Sequence, residues 1–322
     1  GIRTPFARAE SNHRPRPDLS VDKRPPEALS RHTVNRLFLV QLLTSFLVGG
    51  AGVALLSFVA ERVSSRAAGI VLAFPSTGAL GYFFLAWALS PEEVAKIVPA
   101  TFIPLGLTAM FNVFYSWIAA ALSRRLKRKG PQVAASFLAS AACWLILALP
   151  VALLEFSDLV LGLTGYLLLV FIATLLLRRR GHSPRKAPAL SYTTGQKIGR
   201  AAFVGALIVV VLILGKRLDV VWGGIFAMFP AAFSSTLMLL HWYYTPETVA
   251  AAVRNGPIGT LSICAYSLAV MFAFPRFGFI LGTLAAYCAS LAATLILLKT
   301  QERGGNTFRP GGRESRPSPP GR

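Results

Sequence analysis

Charge is scarce in this sequence, and what charge there is has mostly one sign. Only 14% of the 322 residues are charged, whereas a soluble domain carries about 25%. The chain has 33 Lys and Arg against 13 Asp and Glu, a formal net charge of +20. Long uncharged stretches separate short basic clusters, and the stretches lack the alternating apolar and charged faces of soluble helices. This pattern excludes a soluble helical protein, and it attributes the positive charge to membrane topology rather than to nucleic acid binding.

Cysteines and membrane-buried ionisable groups are also few. The three cysteines, Cys143, Cys264 and Cys288, all lie in apolar stretches, where free thiols behave as small hydrophobes. No Asp, Glu, Lys or Arg lies at the centre of such a stretch, which argues against a carboxylate proton relay or a voltage sensor. We find no nucleophile, acid pair or metal cluster in a sensible arrangement. The sequence therefore predicts no enzyme, no cofactor and no metal site.

What the chain has instead is long apolar segments. A helix needs about 20 mostly apolar residues to cross the hydrocarbon core of a bilayer, and nine segments qualify, the sixth being short and expected to begin near Ile198. The sequence predicts an all-α, polytopic transmembrane helix bundle with a mean hydropathy of +0.57. The predicted spans are Leu37–Ala60, Ala67–Leu89, Ile97–Leu122, Gln132–Leu154, Leu159–Leu177, Ala201–Leu214, Val220–Tyr244, Ala251–Phe274 and Phe277–Leu298.

Basic residues at the span ends predict the orientation. Two basic groups, within 124–129 and 178–200, should face the cytoplasm together with the C-terminus, where they attract anionic lipid heads. The tails, 1–36 and 301–322, are rich in Arg, Pro and Gly and should be disordered. Nine spans place the basic N-terminal tail outside, which is unfavourable. Either residues 1–36 are not part of the natural protein or the count is off by one, and the two internal loops favour the first explanation.

The chain contains an internal repeat. Segment Gly69–Ala95 aligns without a gap with Gly224–Ala250, at an offset of 155, and ten of 27 positions are identical, including two Pro, one Trp and one Glu. The last span of each half aligns at an offset of 120, so we expect an extra span in the first half, with Gln132–Leu154 as the natural candidate. The first repeat would then cover 37–178 with five spans, and the second 198–300 with four, separated by the basic loop 179–197. Five spans before the second copy would invert it, as in secondary transporters.

The repeated motif has a familiar form. The segments Ile70–Thr77 and Ile225–Ala232 resemble the Gly-x-x-x-x-Phe-Pro signature of GlpM-like proteins, which are small, four-span bacterial inner-membrane proteins of largely uncharacterised function. The resemblance implies a bacterial inner-membrane protein built from two fused GlpM-like units. It supplies no substrate.

The two Phe-Pro motifs are the main candidate site. Pro75 and Pro230 lie inside predicted spans, where proline removes a backbone donor and frees carbonyls that need partners in a bilayer. Two interpretations remain open: a broken helix that lines a midplane site, or a kink that shapes packing. For the polar residues of the third and eighth spans, ligand contact and ordinary helix–helix hydrogen bonding are both open. The candidate substrate-binding residues are Phe74, Pro75, Ser76, Thr77, Asn112, Tyr115, Phe229, Pro230, Ser234, Ser235 and Tyr266.

Aromatic residues at span ends have a simpler interpretation. Trp87 and the run 241–244, which contains His241, are typical of the aromatic belts at membrane interfaces. An interfacial location leaves His241 only a weak case for a functional role.

These features predict a transporter-like permease for a small or neutral solute, whose pathway runs between the two Phe-Pro helices. The alternative is a non-transporting accessory or scaffold protein for envelope or polysaccharide assembly. A polar midplane cavity would favour the first, and a dry, filled interface the second. Association into a homo-oligomer stays open.

Overall fold

The computed structural model describes residues 26–62, 75–154, 156–179 and 193–306, and these residues form helices joined by turns, with no strand among them. The all-α prediction is confirmed. The helices are α1 Pro26–Arg62, α2 Ser76–Ala88, α3 Pro91–Ser123, α4 Lys129–Leu153, α5 Leu159–Arg179, α6 Thr194–Arg217, α7 Val220–Ala227, α8 Ala231–Tyr243, α9 Pro246–Val253 and α10 Gly256–Asn306. The chain divides into two units, 1–39 and 40–322. Of the first unit, the structure describes residues 26–39, at the beginning of α1, and the contacts described below all lie within the second.

Six helices in the described part of the chain are long and apolar enough to cross a membrane. They are α1 (over Arg36–Leu55), α3, α4, α5, α6 and α10 (over Gly256–Thr300). The chain is therefore a multi-pass integral membrane protein, as its composition predicted.

Helix α10 is two antiparallel helices rather than one. The backbone at Gly278 has φ 70° and ψ 178°, a region open almost only to glycine. Beyond this break the chain folds back, since the ring centroids of Tyr266 and Tyr287 lie 5.1 Å apart and Gly282 packs directly on Phe274. We call 256–277 the first segment and 279–306 the second segment of α10.

Several helices begin before the predicted spans, among them α1 at Pro26 rather than Leu37 and α3 at Pro91 rather than Ile97. Two spans differ more deeply. The seventh predicted span, Val220–Tyr244, is not one helix, because it is interrupted between α7 and α8. The eighth does not begin at Ala251, because the short helix α9 occupies that sequence and α10 starts only at Gly256. Of the second predicted span, the structure describes residues 75–89, and the rest lies outside the described residues.

Helix starts follow ordinary capping chemistry. Ser90 accepts a hydrogen bond from the Glu93 backbone N–H, with proline at the first position of α3. Thr193 and Gln196 form a capping box at the start of α6. In a bilayer these contacts matter because the first amides of a helix have no partner within it.

Helix α3 forms the centre of the bundle, where it packs against α4, α5 and α10. It runs parallel to α5, because Gly162 packs on the carbonyl of Pro99 and Gly106 packs on Tyr166 further along both helices. The first segment of α10 runs antiparallel to α3, since Gly256 lies beside Asn112 near the C-terminal half of α3.

Candidate functional site

The seventh predicted span is broken at its Phe-Pro motif. At Pro230 the backbone has φ −77° and ψ 53°, and the Ala231 N–H donates to the Phe229 carbonyl at 2.8 Å. This is the geometry of an inverse γ-turn. Proline has no N–H and its ring clashes with the preceding turn, which favours an interruption here, although α3 continues through Pro99 and Pro104. Pro75 has nearly the same conformation, φ −74° and ψ 68°, and immediately precedes α2.

The break leaves a backbone carbonyl to be satisfied inside the membrane. The Thr108 hydroxyl of α3 donates to the Met228 carbonyl at 2.5 Å. The third span therefore stabilises the discontinuity of the seventh. This hydroxyl was not among the predicted site residues, although a threonine on the neighbouring span is the type of residue that supplies such a bond.

The two Phe-Pro elements meet where α2 crosses α7, and this crossing is filled. A Cβ added at Gly81 would lie 2.6 Å from the Cβ of Ala227, and one added at Gly78 would lie 3.1 Å from the methyl group of Met228. Further along, Leu85 packs on Gly223. Two cavities, of about 260 and 300 Å³, lie beside α6 and not at this crossing. The polar midplane cavity that a permease predicts is not present among the described residues of the crossing.

Beside the crossing lies a buried group of hydroxyls and rings, which we call the tyrosine cluster. It consists of Tyr82, Thr101, Tyr266, Ser267, Thr283 and Tyr287. The Tyr82 hydroxyl lies 2.5 Å from that of Thr101, which in turn donates to the Val98 carbonyl at 2.7 Å. The Tyr82 ring stacks on Tyr266, with centroids 6.5 Å apart and planes 6° apart.

Two further hydroxyls belong to the tyrosine cluster. Ser267 lies close to the Tyr82 hydroxyl, and Thr283 lies close to that of Tyr266. The sequence identified Tyr266 alone among these residues. Tyr82 and Tyr287 are also tyrosines within predicted spans, which is the signal that could have identified them.

Helix α3 also carries Asn112 and Tyr115, and these two polar side chains lie in different environments. Asn112 donates to the Thr108 and Ala109 carbonyls of its own helix, at 3.4 and 3.3 Å, rather than to a neighbouring helix. The Tyr115 hydroxyl lies 3.4 Å from Nδ1 of His241. His241 is fully buried, so it packs inside the protein rather than in an exposed aromatic belt, and its depth in the membrane stays a prediction.

The remaining predicted residues are spread over α2 and α8. Phe229 is surrounded by the rings of Phe111, Phe137 and Trp144. The Ser234 hydroxyl donates to the carbonyl of Ala231, one turn earlier. Ser235 lines the cavity of about 260 Å³.

On α2, Thr77 is buried and Ser76 is half-buried. Phe74 lies outside the described residues. The predicted residues therefore do not converge on one cavity.

The tyrosine cluster offers hydroxyls and aromatic faces and no charged group. Such a set can hydrogen-bond and stack on a neutral polar molecule. Among the described residues, no group of three or more His, Cys, Asp or Glu is placed to hold a metal ion.

No protein-family model matches the chain, and no curated protein or solved structure is detectably similar to it.

Proposed function

We propose that the protein is a permease of the bacterial inner membrane for a small neutral solute, built from two inverted repeats. The observation that carries the proposal is a reciprocal contact between α1 and α6. Gly50 packs on the Ala201 carbonyl, and Gly205 packs on the Phe46 carbonyl. At the offset of 155, Gly50 is equivalent to Gly205, and Phe46 is equivalent to Ala201. The contact of Gly50 with Ala201 is therefore equivalent to the contact of Gly205 with Phe46. Contacts of this kind are the mark of a two-fold axis.

The same relation recurs between α3 and the first segment of α10. Asn112 lies beside Gly256, and Thr101 and Ser267 both lie close to the Tyr82 hydroxyl. At an offset of 155, residue 101 corresponds to 256 and residue 112 to 267. Together with the antiparallel course of the two helices, this supports a pseudo-two-fold axis in the membrane plane.

Helix boundaries support the duplication independently. Helices α2 and α8 both contain 13 residues and follow a proline of the same conformation. Helix α3 begins with Pro91, and helix α9 begins with Pro246. Each of these boundaries in the first repeat lies 155 residues before its counterpart in the second. Random placement of helix ends would not produce this agreement.

The sequence match suggested that the extra span is Gln132–Leu154, which corresponds to α4. The structure favours α5 as the extra helix instead. Helix α4 resembles the second segment of α10 at an offset of 150, with the run Leu145–Leu147 matching Leu295–Leu297. Their buried faces also correspond, because Ser140 and Ser290 are both buried, as are Trp144 and Thr294.

With α4 assigned in this way, each repeat has four spans, and α5 links them. The inversion is unchanged, because five spans still precede the second copy. Four spans is also the length of the GlpM-like unit that each half resembles.

A transport function fits the broken helices. In transporters with inverted repeats, discontinuous helices meet near the midplane and form the solute site. Here the break at Pro230 lies near the α2–α7 crossing, as does Pro75, and the tyrosine cluster lies beside the crossing. The crossing is filled, so solute passage by this route requires α2 and α7 to separate.

The packing directions support the proposed orientation. Helices α3 and α5 are parallel, so their C-terminal ends, each beside a basic group, lie on one face. Lys129 donates to the Tyr244 carbonyl at 3.0 Å, which places the end of α8 on that face as well. By the distribution of Lys and Arg, this is the cytoplasmic face.

The proposal is tested by water access to the crossing. In full-length protein with its native cysteines replaced by alanine, Ala227→Cys should react with a small, charged methanethiosulfonate reagent in proteoliposomes. The matched control is Ala148→Cys on α4. Both alanines are 1% exposed, but Ala148 is not at the crossing, so it should stay unreactive.

Solute movement is measured in the same vesicles by stopped-flow light scattering, with glycerol, urea and erythritol as probes. We expect at least one to permeate faster than in protein-free vesicles, and alkylation of Ala227→Cys to abolish the difference. No alkylation of Ala227→Cys together with no added permeation of any probe would contradict a permease.

The second candidate function is a non-transporting scaffold for envelope or polysaccharide assembly. The close packing of Gly78 and Gly81 on α7 favours it. A scaffold predicts that Ala227→Cys and Ala148→Cys are equally inert.

A further inference from the structure

Two interruptions of helices in the second repeat meet at neighbouring turns of α3. The first lies between α7 and α8, where the Thr108 hydroxyl donates to the Met228 carbonyl. The second lies between α9 and α10, which begins at Gly256. Asn112, one turn after Thr108, packs against this second interruption, because a Cβ added at Gly256 would lie 3.1 Å from its Nδ2. Helix α3, the counterpart of α9 and the start of α10, runs unbroken through the equivalent residues 98–101, so the fold does not require the second interruption.

Asn112 has an unused hydrogen-bond acceptor inside the protein. Its side chain is 2% exposed, and Nδ2 donates to the carbonyls of Thr108 and Ala109. Its Oδ1 has no hydrogen-bond partner among the described residues, which is unusual for a buried polar atom. The first amides of a helix have no acceptor within it, and α10 begins here with Gly256. The place beside Asn112 therefore offers an acceptor next to backbone donors.

The first repeat shows which group fits such a place. At the offset of 155, the equivalent pairs are Asn112 and Ser267, Gly256 and Thr101, and Leu237 and Tyr82. The Tyr82 hydroxyl lies 2.5 Å from that of Thr101 and close to that of Ser267. At one of the two related places, the protein therefore supplies a hydroxyl group from its own tyrosine. At the other, leucine replaces the tyrosine and supplies none.

Contacts on both sides of Leu237 place it at this position. One turn before it, the Phe233 ring would lie 3.2 Å from a Cβ added at Gly256. One turn after it, His241 contacts Tyr115 of α3. Residues four apart share one face of a helix, and Leu237 is 1% exposed. Leu237 therefore faces α3 where its counterpart Tyr82 carries the hydroxyl.

The interruption before α10 also reaches the surface of the protein. Asn255 is exposed and Gly256 is half-buried. The eight residues of α9, about 12 Å of helix, separate this place from the turn that we assign to the cytoplasmic face. Interrupted backbone at such a depth is tolerated where it is buried in protein or lines a water-filled cavity. The exposed Asn255 favours the second, which gives a solute an approach to Asn112.

We propose that Asn112 binds a hydroxyl group of the transported solute, at the place that corresponds to the Tyr82 hydroxyl. This proposal rests on the permease function proposed above. A hydroxyl fits because it donates to Oδ1 of Asn112 and, through its own lone pairs, accepts from a first amide of α10. The solute is therefore a small polyol, and a molecule that only accepts hydrogen bonds does not satisfy Asn112.

Permeation through proteoliposomes of the full-length protein tests the ligand chemistry. Glycerol and erythritol should permeate, whereas trimethylamine N-oxide, which has no hydrogen to donate, should not. Asn112→Ala should lower the permeability to both polyols about tenfold at low solute concentration, the effect of one lost hydrogen bond in a buried site. The matched control is Ser116→Ala, since Ser116 is also buried on α3 and bonds the Val113 carbonyl of its own helix. Equal permeability of Asn112→Ala and the unmodified protein, or an equal loss in both variants, would overturn the proposal.

A second measurement needs no transport. Leu237→Tyr should supply the hydroxyl that the solute supplies, and Leu237→Phe adds the same ring without it. We expect the tyrosine variant to unfold about 2–4 °C above the phenylalanine variant, as one added hydrogen bond would produce, and to lose polyol permeation. In an Asn112→Ala background the two should unfold at the same temperature. A tyrosine variant no more stable than the phenylalanine variant, or a difference that persists without Asn112, would reject the site. No permeation of any probe through the unmodified protein would contradict the permease itself, and the unfolding comparison would still decide whether Asn112 receives a hydroxyl.

Discussion

At the scale of single residues, small side chains determine how closely the helices of this protein approach. A Cβ added at Gly205 would lie 2.6 Å from the Phe46 carbonyl oxygen, and one at Gly50 would lie 2.8 Å from that of Ala201. Both neighbours are backbone atoms, which cannot move without moving a helix. Close approach through glycine replaces the hydrophobic effect as a source of association between helices in lipid.

We therefore predict that Gly50→Ala and Gly205→Ala destabilise the protein to a similar degree. Each should cost about 1–3 kcal/mol, the usual cost of adding a methyl group to a packed interface. The double variant should lose less than the sum, because the first methyl group already separates α1 from α6 and relieves the second contact. Thermal unfolding of the purified protein in detergent measures all three.

Gly199→Ala on α6 is the matched control, since no atom lies within 4 Å of its added Cβ. Replacing an exposed helical glycine by alanine should stabilise the helix by about 0.5–1 kcal/mol. A strong effect of Gly205→Ala with none of Gly50→Ala would show that the two contacts are not equivalent, and the repeat would lose its main support.

At the scale of elements, the interruption between α7 and α8 is a structural feature with its own stabilising partner. Thr108→Val should leave the Met228 carbonyl without its hydrogen bond and lower stability by about 0.6–1.7 kcal/mol, the range measured for hydrogen bonds between membrane helices. Thr108→Ser keeps the hydroxyl and should have a smaller effect. The same thermal unfolding assay compares them, and equal losses would mean that the methyl group, not the hydrogen bond, is what matters.

Elements also show what could be predicted from sequence and what could not. Apolar length predicted the long helices well, because a bilayer imposes one length on every crossing. It separated the two helices on either side of Gly278, because two spans were predicted there, Ala251–Phe274 and Phe277–Leu298. It could not detect the interruption at Pro230, where the chain stays apolar, because that break depends on local backbone geometry and on a partner, Thr108, from another helix.

The candidate site was harder to predict for the same reason. Pro230 and Tyr266 were identified because proline and tyrosine are conspicuous within an apolar run. Thr108 and Thr101 were missed because a lone threonine within a span usually bonds its own helix, and only packing shows that these also bond a neighbour. The burial of His241 follows from no local pattern, since it involves packing against Tyr115 of α3, far away in the sequence.

At the scale of the whole molecule, the decisive question is whether the two repeats point in opposite directions. The first turns of α3 and α9, which begin with Pro91 and Pro246, occupy equivalent places in the two copies. Glu92 and Glu247 lie in these turns, and both are exposed. Parallel repeats would put both glutamates on one side of the membrane, whereas inverted repeats put them on opposite sides. The packing already links the second turn to a basic face, through the bond from Lys129 to Tyr244.

We predict that Glu92→Cys and Glu247→Cys, in a background without native cysteines, react with a membrane-impermeant maleimide from opposite sides. In intact spheroplasts Glu92→Cys should be labelled and Glu247→Cys protected, and in inverted vesicles the result should reverse. Arg125→Cys, in the basic turn after α3, serves as the control for the cytoplasmic side and should behave like Glu247→Cys. Labelling of both glutamate positions from the same side would mean that the copies run in parallel. An axis in the membrane plane could not then relate them, and the case for alternating access through their crossing would fail.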